Sequence, residues 1–167
     1  MKAAEEEHFR EFVSGRWPKL VRLAFGLTGD RGLAEDLAQT TLAAVYASWG
    51  RVSRASDPDA YTYRILFNEN NGRFRKKRVT EHYGGPVPDP GLPDPTAAID
   101  QRSVLLAALQ ELPPRQRAAV LLRYFEDLSE AQAAAVLGCS VGTIKSQTSE
   151  ALARLRTSPL LTEGGER

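Results

Sequence analysis

The residues of this chain best equipped for chemistry are its cations. Arg73, Arg75, Lys76, Lys77 and Arg78 fall within six consecutive positions, relieved only by Phe74. Positive charges that close repel one another unless an anion lies against them, so the block points to phosphate contact. The next stretch has the opposite character: from Val79 to Glu111 the acids Glu81, Asp89, Asp94, Asp100 and Glu111 stand against the single base Arg102. A formal net charge of only +1 thus hides a basic element followed by an acidic connector. A second group, Gly142, Thr143, Ser146, Gln147, Ser149 and Glu150 with Lys145 at its flank, consists mostly of small polar side chains at helical spacing. Residues of that size let a backbone approach the major groove, and a lysine beside them can neutralise a phosphate.

Catalysis has little to work with. The two histidines, His8 and His82, are far apart, Cys139 is the lone cysteine, and no glycine-rich phosphate loop occurs. The sequence therefore offers no nucleophile–base pair, no metal-ligand spacing and no cofactor motif, and the chain is not expected to be an enzyme. The acidic stretch Met1 to Glu7 lacks the apolar run of a signal peptide, and no segment is long enough to span a bilayer. A cytoplasmic protein without membrane insertion is the expectation.

The elements that must position these groups read as helices throughout. Phe9, Phe12, Val13, Trp17, Leu20, Leu23 and Leu27 recur at three- and four-residue steps, broken by Gly15 and Pro18. The pattern predicts a short helix feeding a second one, which Gly29 stops, with Asp30 as the next N-cap. Ala38, Leu42, Val45 and Trp49 form another apolar stripe, ended by Gly50. Asp57-Pro58 opens a helix that carries Tyr61, Ile65 and Leu66 into the basic block. Residues 79–95, rich in proline and glycine, can neither sustain a helix nor pair as a central strand and read as a linker. A helix restarts near Thr96, and Pro113-Pro114 restarts the chain again.

Ser129-Glu130-Ala131-Gln132 is a capping box, and the short helix it opens meets Gly138, where a left-handed residue is needed. Ser140 caps the helix that follows, which runs through Val141, Ile144, Thr148, Ala151, Leu152 and Leu155 on one face. Two helices joined by a tight glycine turn, with Ala134 small at the crossing, predict a helix-turn-helix. The expected fold is all-α: a three- or four-helix domain over 1–78, a linker over 79–95, a helix-turn-helix domain over 96–156 and a disordered tail over 157–167.

The runs Leu112-Pro113-Pro114-Arg115-Gln116-Arg117, Leu122 to Ser129 and Leu137 to Ser146 closely resemble region four of extracytoplasmic-function sigma factors, particularly the actinobacterial sigma-E-like subgroup. Leu27 to Asp30, Ala34 to Thr40 and Ala60 to Asn68 resemble region two of the same family, so the likeness spans about Phe9 to Arg156. The resemblance implies a non-enzymatic subunit that binds core RNA polymerase and directs promoter-specific initiation. It implies docking of Glu35, Asp36, Leu37, Gln39 and Thr40 on the clamp helices of the largest catalytic subunit, with the flap region as a further contact. It implies reading of the melted −10 strand by the loop Val52 to Asp57 and by Tyr61, Arg64, Asn68, Arg73, Arg75, Lys76 and Lys77. The −35 duplex would fall to Ser140, Gly142, Thr143, Lys145, Ser146, Gln147 and Ser149, with Arg115 and Arg123 on phosphate. An anti-sigma factor is a partner class common in the family.

Three positions depart from the pattern. Asn70-Asn71-Gly72 interrupts the −10-reading helix, where a glycine costs about 1 kcal/mol against alanine and predicts a bent or soft segment. Phe74 stands where close relatives often carry tryptophan, and Glu150 where many carry a base. These departures motivate one alternative, a sigma-like interaction protein without productive initiation. The helix-turn-helix taken by itself motivates another, a repressor that binds duplex DNA without polymerase.

Overall fold

The computed structural model describes the backbone of residues 2–82 and 101–165 and the side chains of residues 2–73 and 104–162. Among the described residues every regular element is helical, as the punctuation predicts. Helix α1 spans Ala3–Thr28, α2 Arg31–Ala47, α3 Trp49–Arg54 and α4 Pro58–His82. Helices α5 (Gln101–Glu111) and α6 (Pro114–Val120) follow, and α6 runs into a π-helical turn, Leu121–Phe125. Then come α7 (Glu130–Leu137), α8 (Val141–Arg156) and α9 (Pro159–Gly165).

Five expectations change. Gly15 and Pro18 do not divide the first helix, because α1 is continuous through both. Phe12 on one side of Pro18 and Leu20, Leu23 and Leu27 on the other all lie on buried faces, and that burial outweighs the single backbone hydrogen bond a proline forfeits. The α2 stripe ends at Ser48 rather than Gly50, and Gly50 lies inside α3. The first half of the 52–57 segment is therefore helix, since α3 reaches Arg54. Helix α4 passes through Asn70-Asn71-Gly72 without interruption, and Asn70, 3 % exposed, accepts a hydrogen bond from Arg73 at 3.2 Å. The tail is not disordered where it is described. Residues 159–165 form α9, which packs on α5 beside the buried Ser158, whose hydroxyl is 3.4 Å from Glu111 Oε2. The linker expected over 79–95 lies largely outside the described residues.

The predicted caps are present. The Asp30 carboxylate accepts from Leu33 N–H at 2.8 Å, and Asp57 accepts from Ala60 N–H at 3.1 Å. Gly29 and Gly138 both adopt left-handed backbone, with φ of 71° and 68°, a conformation that costs an L side chain about 1–2 kcal/mol. A smaller cluster gathers Phe12, Val45, Trp49 and Val52, with Phe12 meeting the Trp49 ring edge-on at 5.2 Å. The main core does not respect the two-domain division. It joins Leu20, Leu23, Leu27 and Leu66 from the first half to Leu109, Leu121, Leu122 and Ile144 from the second.

Candidate nucleic-acid and polymerase interfaces

The helix-turn-helix is built as its sequence dictates. Ser129 Oγ accepts from Gln132 N–H at 3.1 Å while the Gln132 side chain accepts from Ser129 N–H at 2.8 Å. Gly138 ends α7 with its N–H on Ala134 O, and Ser140 Oγ accepts from Thr143 N–H at 3.1 Å to start α8. Ile144, Thr148 and Ala151 are buried against α6 and α7, while Ser140, Gly142, Lys145, Ser146 and Ser149 are exposed. Thr143 and Gln147 are half-buried, at the edge of a cleft. A Cβ added to Gly142 would meet only Ser140 Oγ, at 3.8 Å. Nothing within the molecule requires a glycine there.

The loop before α7 has its own geometry. Glu126 N–H bonds Leu121 O at 3.1 Å, the five-residue reach of a π-turn, and Asp127 then takes a φ of 52°. This exit turns Glu126 inward and leaves Tyr124 and Phe125 each 52 % exposed. Of the two expected phosphate-contacting arginines, Arg115 is exposed at the cleft mouth. Arg123 is half-buried and donates to Leu128 O, so its guanidinium braces the entry to α7.

On α2, Glu35, Asp36, Gln39 and Thr40 are exposed and share one side of the helix. Leu37 does not belong with them: it is 4 % exposed and packs into the core. Leu33, 41 % exposed, takes its place as the apolar member of this patch. The signal for it was positional, since three residues before Asp36 lies on the same helical face.

The basic helix is presented differently. Tyr61 is half-buried against the Trp49 cluster, and Asn68 is exposed. Arg64 is exposed but donates to Ala135 O of α7 at 3.1 Å. Arg73 is half-buried, and burial lowers its pKa below the ordinary arginine value. Arg75, Lys76 and Lys77 lie on α4 by their backbone, with side chains outside the described residues.

What the sequence did not reveal is the joint between the two halves. Arg117 is 7 % exposed and donates to four carbonyls: Leu27 O at 2.8 Å, Leu109 O at 2.9 Å, Gln110 O at 2.8 Å and Leu112 O at 3.0 Å. These oxygens belong to the C-terminal ends of α1 and α5, where helix dipoles concentrate negative potential, which accounts for a buried cation without a carboxylate. Burial, followed by the nearby Arg73 charge, lowers the Arg117 pKa. Gln110 donates to Gly26 O at 2.9 Å. Tyr63, 6 % exposed, donates to Glu126 Oε2 at 3.0 Å, and Lys19 Nζ lies 3.6 Å from the same oxygen. Desolvation and then the Glu126 carboxylate push the Tyr63 phenol well above its ordinary pKa. Beside this joint a cleft of about 790 Å³ separates Asn70 and Asn71 of α4 from Thr143, Gln147 and Glu150 of α8.

Among the described residues no group of acids, histidines and cysteines could hold a metal, and no helix is long and apolar enough to cross a membrane.

Comparison with known proteins matches residues 15–80 to the Sigma-70 region 2 model and residues 102–155 to the Sigma-70, region 4 model. The RNA polymerase sigma-E factor of Streptomyces antibioticus is 37 % identical over 93 % of this chain and 87 % of its own length. The ECF RNA polymerase sigma factor SigL of Mycobacterium tuberculosis is 31 % identical over 92 % and 90 %. Among solved structures, the sigma factor RpoE of Bartonella quintana, crystallised with the anti-sigma factor NepR, aligns with a TM-score of 0.77 at 30 % identity, covering 93 % of this chain and 98 % of that one. CnrH in complex with the cytosolic domain of CnrY shares the fold, with a TM-score of 0.62 at 23 % identity over 90 % and 86 %.

Proposed function

The chain belongs to the extracytoplasmic-function RNA polymerase sigma factors and directs transcription initiation, and we propose that it does so as a two-part clamp with the residue roles below. Region 2 holds core polymerase through the exposed side of α2, formed by Leu33, Glu35, Asp36, Gln39 and Thr40. The −10 strand, once opened, lies along α4, with Tyr61, Arg64 and Asn68 at the bases and the block from Arg73 to Lys77 on phosphate. Region 4 reads the −35 duplex with the exposed face of α8. The protein acts by binding alone, with no catalytic step of its own, and it works in the cell interior where polymerase is.

The observation that carries this reading is the exposed face of α8. Gly142, Lys145, Ser146 and Ser149 stand free of internal packing while Ile144, Thr148 and Ala151 anchor the other side in the core. A recognition helix needs that division. In the arrangement described, Arg64 of the −10 side is engaged with α7, and the neighbouring Tyr63 is held on Glu126. Initiation therefore requires the two regions to separate, with polymerase and promoter supplying new partners for the side chains this frees. Such closed regions also offer one continuous surface to an anti-sigma factor, the kind of partner with which the Bartonella quintana relative was crystallised.

Run-off transcription with core polymerase on fragmented genomic DNA tests the proposal. New discrete transcripts sharing a −35/−10 pair are expected only when this protein is added. A stable complex with polymerase that yields no such transcripts would defeat it.

A further inference from the structure

Glu150 is a carboxylate on the DNA-facing side of a recognition helix. It stands one turn after Ser146 and two after Thr143, opposite the buried Ile144, Thr148 and Ala151. An anion there repels phosphate, so a merely solvated glutamate costs affinity. Two features separate Glu150 from a solvated surface acid. Its Oε2 accepts from Gln116 Nε2 at 3.1 Å, and Gln116 is 5 % exposed on α6, so the tether comes from a packed side chain inside region 4. The ion pairs seen among the described residues, Arg16–Asp59 and Lys19–Glu126, do not involve it. The carboxylate is thus held in place, with Oε1 left as an open acceptor.

The chemistry of base edges limits what such a group can read. In the major groove guanine offers two acceptors, thymine an acceptor and a methyl group, and adenine an acceptor next to its amine. Each of these places a lone pair or a methyl group near the carboxylate. Cytosine alone offers an amino donor, N4, with no acceptor on its own edge. We infer that Glu150, positioned by Gln116, selects a cytosine at one position of the −35 duplex. The inference rests on the promoter-reading role of α8 proposed above. It adds a specificity-determining residue whose charge is opposite to that expected of a phosphate contact.

The test is transcription by the reconstituted holoenzyme on a promoter library randomised through the −35 element, read by sequencing the transcripts. Wild-type protein should enrich cytosine at one position by about fivefold, the lower end of what a good base contact discriminates. Glu150→Ala should flatten that position alone. Glu150→Gln, which carries both a donor and an acceptor, should move the preference there toward adenine. Gln116→Leu, checked for an unchanged circular dichroism spectrum, should weaken the same preference while the carboxylate remains. A uniform gain in transcription for Glu150→Ala, with every base preference intact, would mean that the residue only repels phosphate and would overturn the inference. A preference lost for guanine or thymine would overturn it equally. Failure of the wild-type protein to give any promoter-dependent transcript would instead count against the sigma-factor reading on which the inference stands.

Discussion

On α8 the side chains of Lys145, Ser146 and Ser149 stand in solvent, whereas on α4 Arg64 is bonded to a carbonyl of α7 and Tyr63 is buried on Glu126. Both helices belong to the proposed DNA-reading machinery, yet only one is presented ready for use. The difference follows from how the halves meet. Region 4 packs on region 2 through α5, α6, α7 and the π-turn, away from the exposed face of its recognition helix. Closure thus engages Arg64 of the proposed strand-binding side and leaves most of the proposed −35 face untouched. On the proposed roles, separating the two regions should change the −10 side and leave the −35 face nearly independent.

The strongest way to break this contrast is to remove Arg117. Replacing it by Met leaves four buried carbonyls without their donor, Leu27 O on the region 2 side among them. Each unsatisfied acceptor costs on the order of 1–3 kcal/mol, and partial relaxation should bring the total to about 3 kcal/mol or more. Urea denaturation is expected to show stability falling by that amount. A midpoint within error of the wild type would mean that the guanidinium is not the fastener its bonds suggest.

Gly26→Leu acts on the joint alone. A Cβ at Gly26 would lie 2.7 Å from Leu121 Cδ2, and Leu121 is 2 % exposed, so a leucine drives a wedge between α1 and region 4. Overpacking of this kind costs about 1–3 kcal/mol, while α1 itself gains about 1 kcal/mol in helix propensity. Region 2 should stay folded and the regions should part, seen as a larger radius of gyration in small-angle scattering. The opened protein should bind single-stranded −10 DNA more tightly and duplex −35 DNA almost unchanged. An equal gain for both would erase the asymmetry between the two faces.

These two substitutions also mark what could and could not be read from the chain. The helix-turn-helix was legible because its determinants are local: Ser129, Gln132, Gly138 and Ser140 sit at fixed offsets and each satisfies a nearby backbone group. The joint was not, because Gly26, Tyr63, Arg117 and Glu126 are far apart in sequence and share no period. Arg117 in particular reads as a surface cation until its carbonyl partners are assembled around it. Leu37 was misjudged as a contact residue because a resemblance transfers a segment whole, while helical geometry turns every third or fourth residue of that segment inward. The terminal helix was missed because α9 carries two glycines and is held by packing on α5, which no local propensity records.

Tyr63→Phe is a gentler probe of the same joint. It deletes one hydrogen bond to a carboxylate that Lys19 still attends, which should cost about 1–1.5 kcal/mol. The pH dependence carries the sign. Burial and Glu126 raise the phenol's pKa above its ordinary value of 10.0, so the folded state holds the proton more firmly than the unfolded chain. The stability difference between wild type and Tyr63→Phe should be constant up to about pH 10 and shrink as pH rises further. A difference that grew with alkalinity would mean that the phenol is not donating to Glu126.

The smallest effect belongs to the open face, and it tests whether that face is independent of closure. Lys145 is exposed, flanks the proposed base-reading arc of α8 and makes no contact across the joint, so Lys145→Ala should leave the denaturation midpoint unchanged. In the holoenzyme it should weaken −35 binding about equally for all sequences and lower the slope of log affinity against log salt by about 1. Combined with Gly26→Leu, the two effects should add, because a phosphate contact on α8 and a wedge at α1 share no partner. Loss of discrimination at one base would make Lys145 a reader rather than an anchor. Non-additivity would be the more consequential result, since it would mean that separating the regions also reshapes α8.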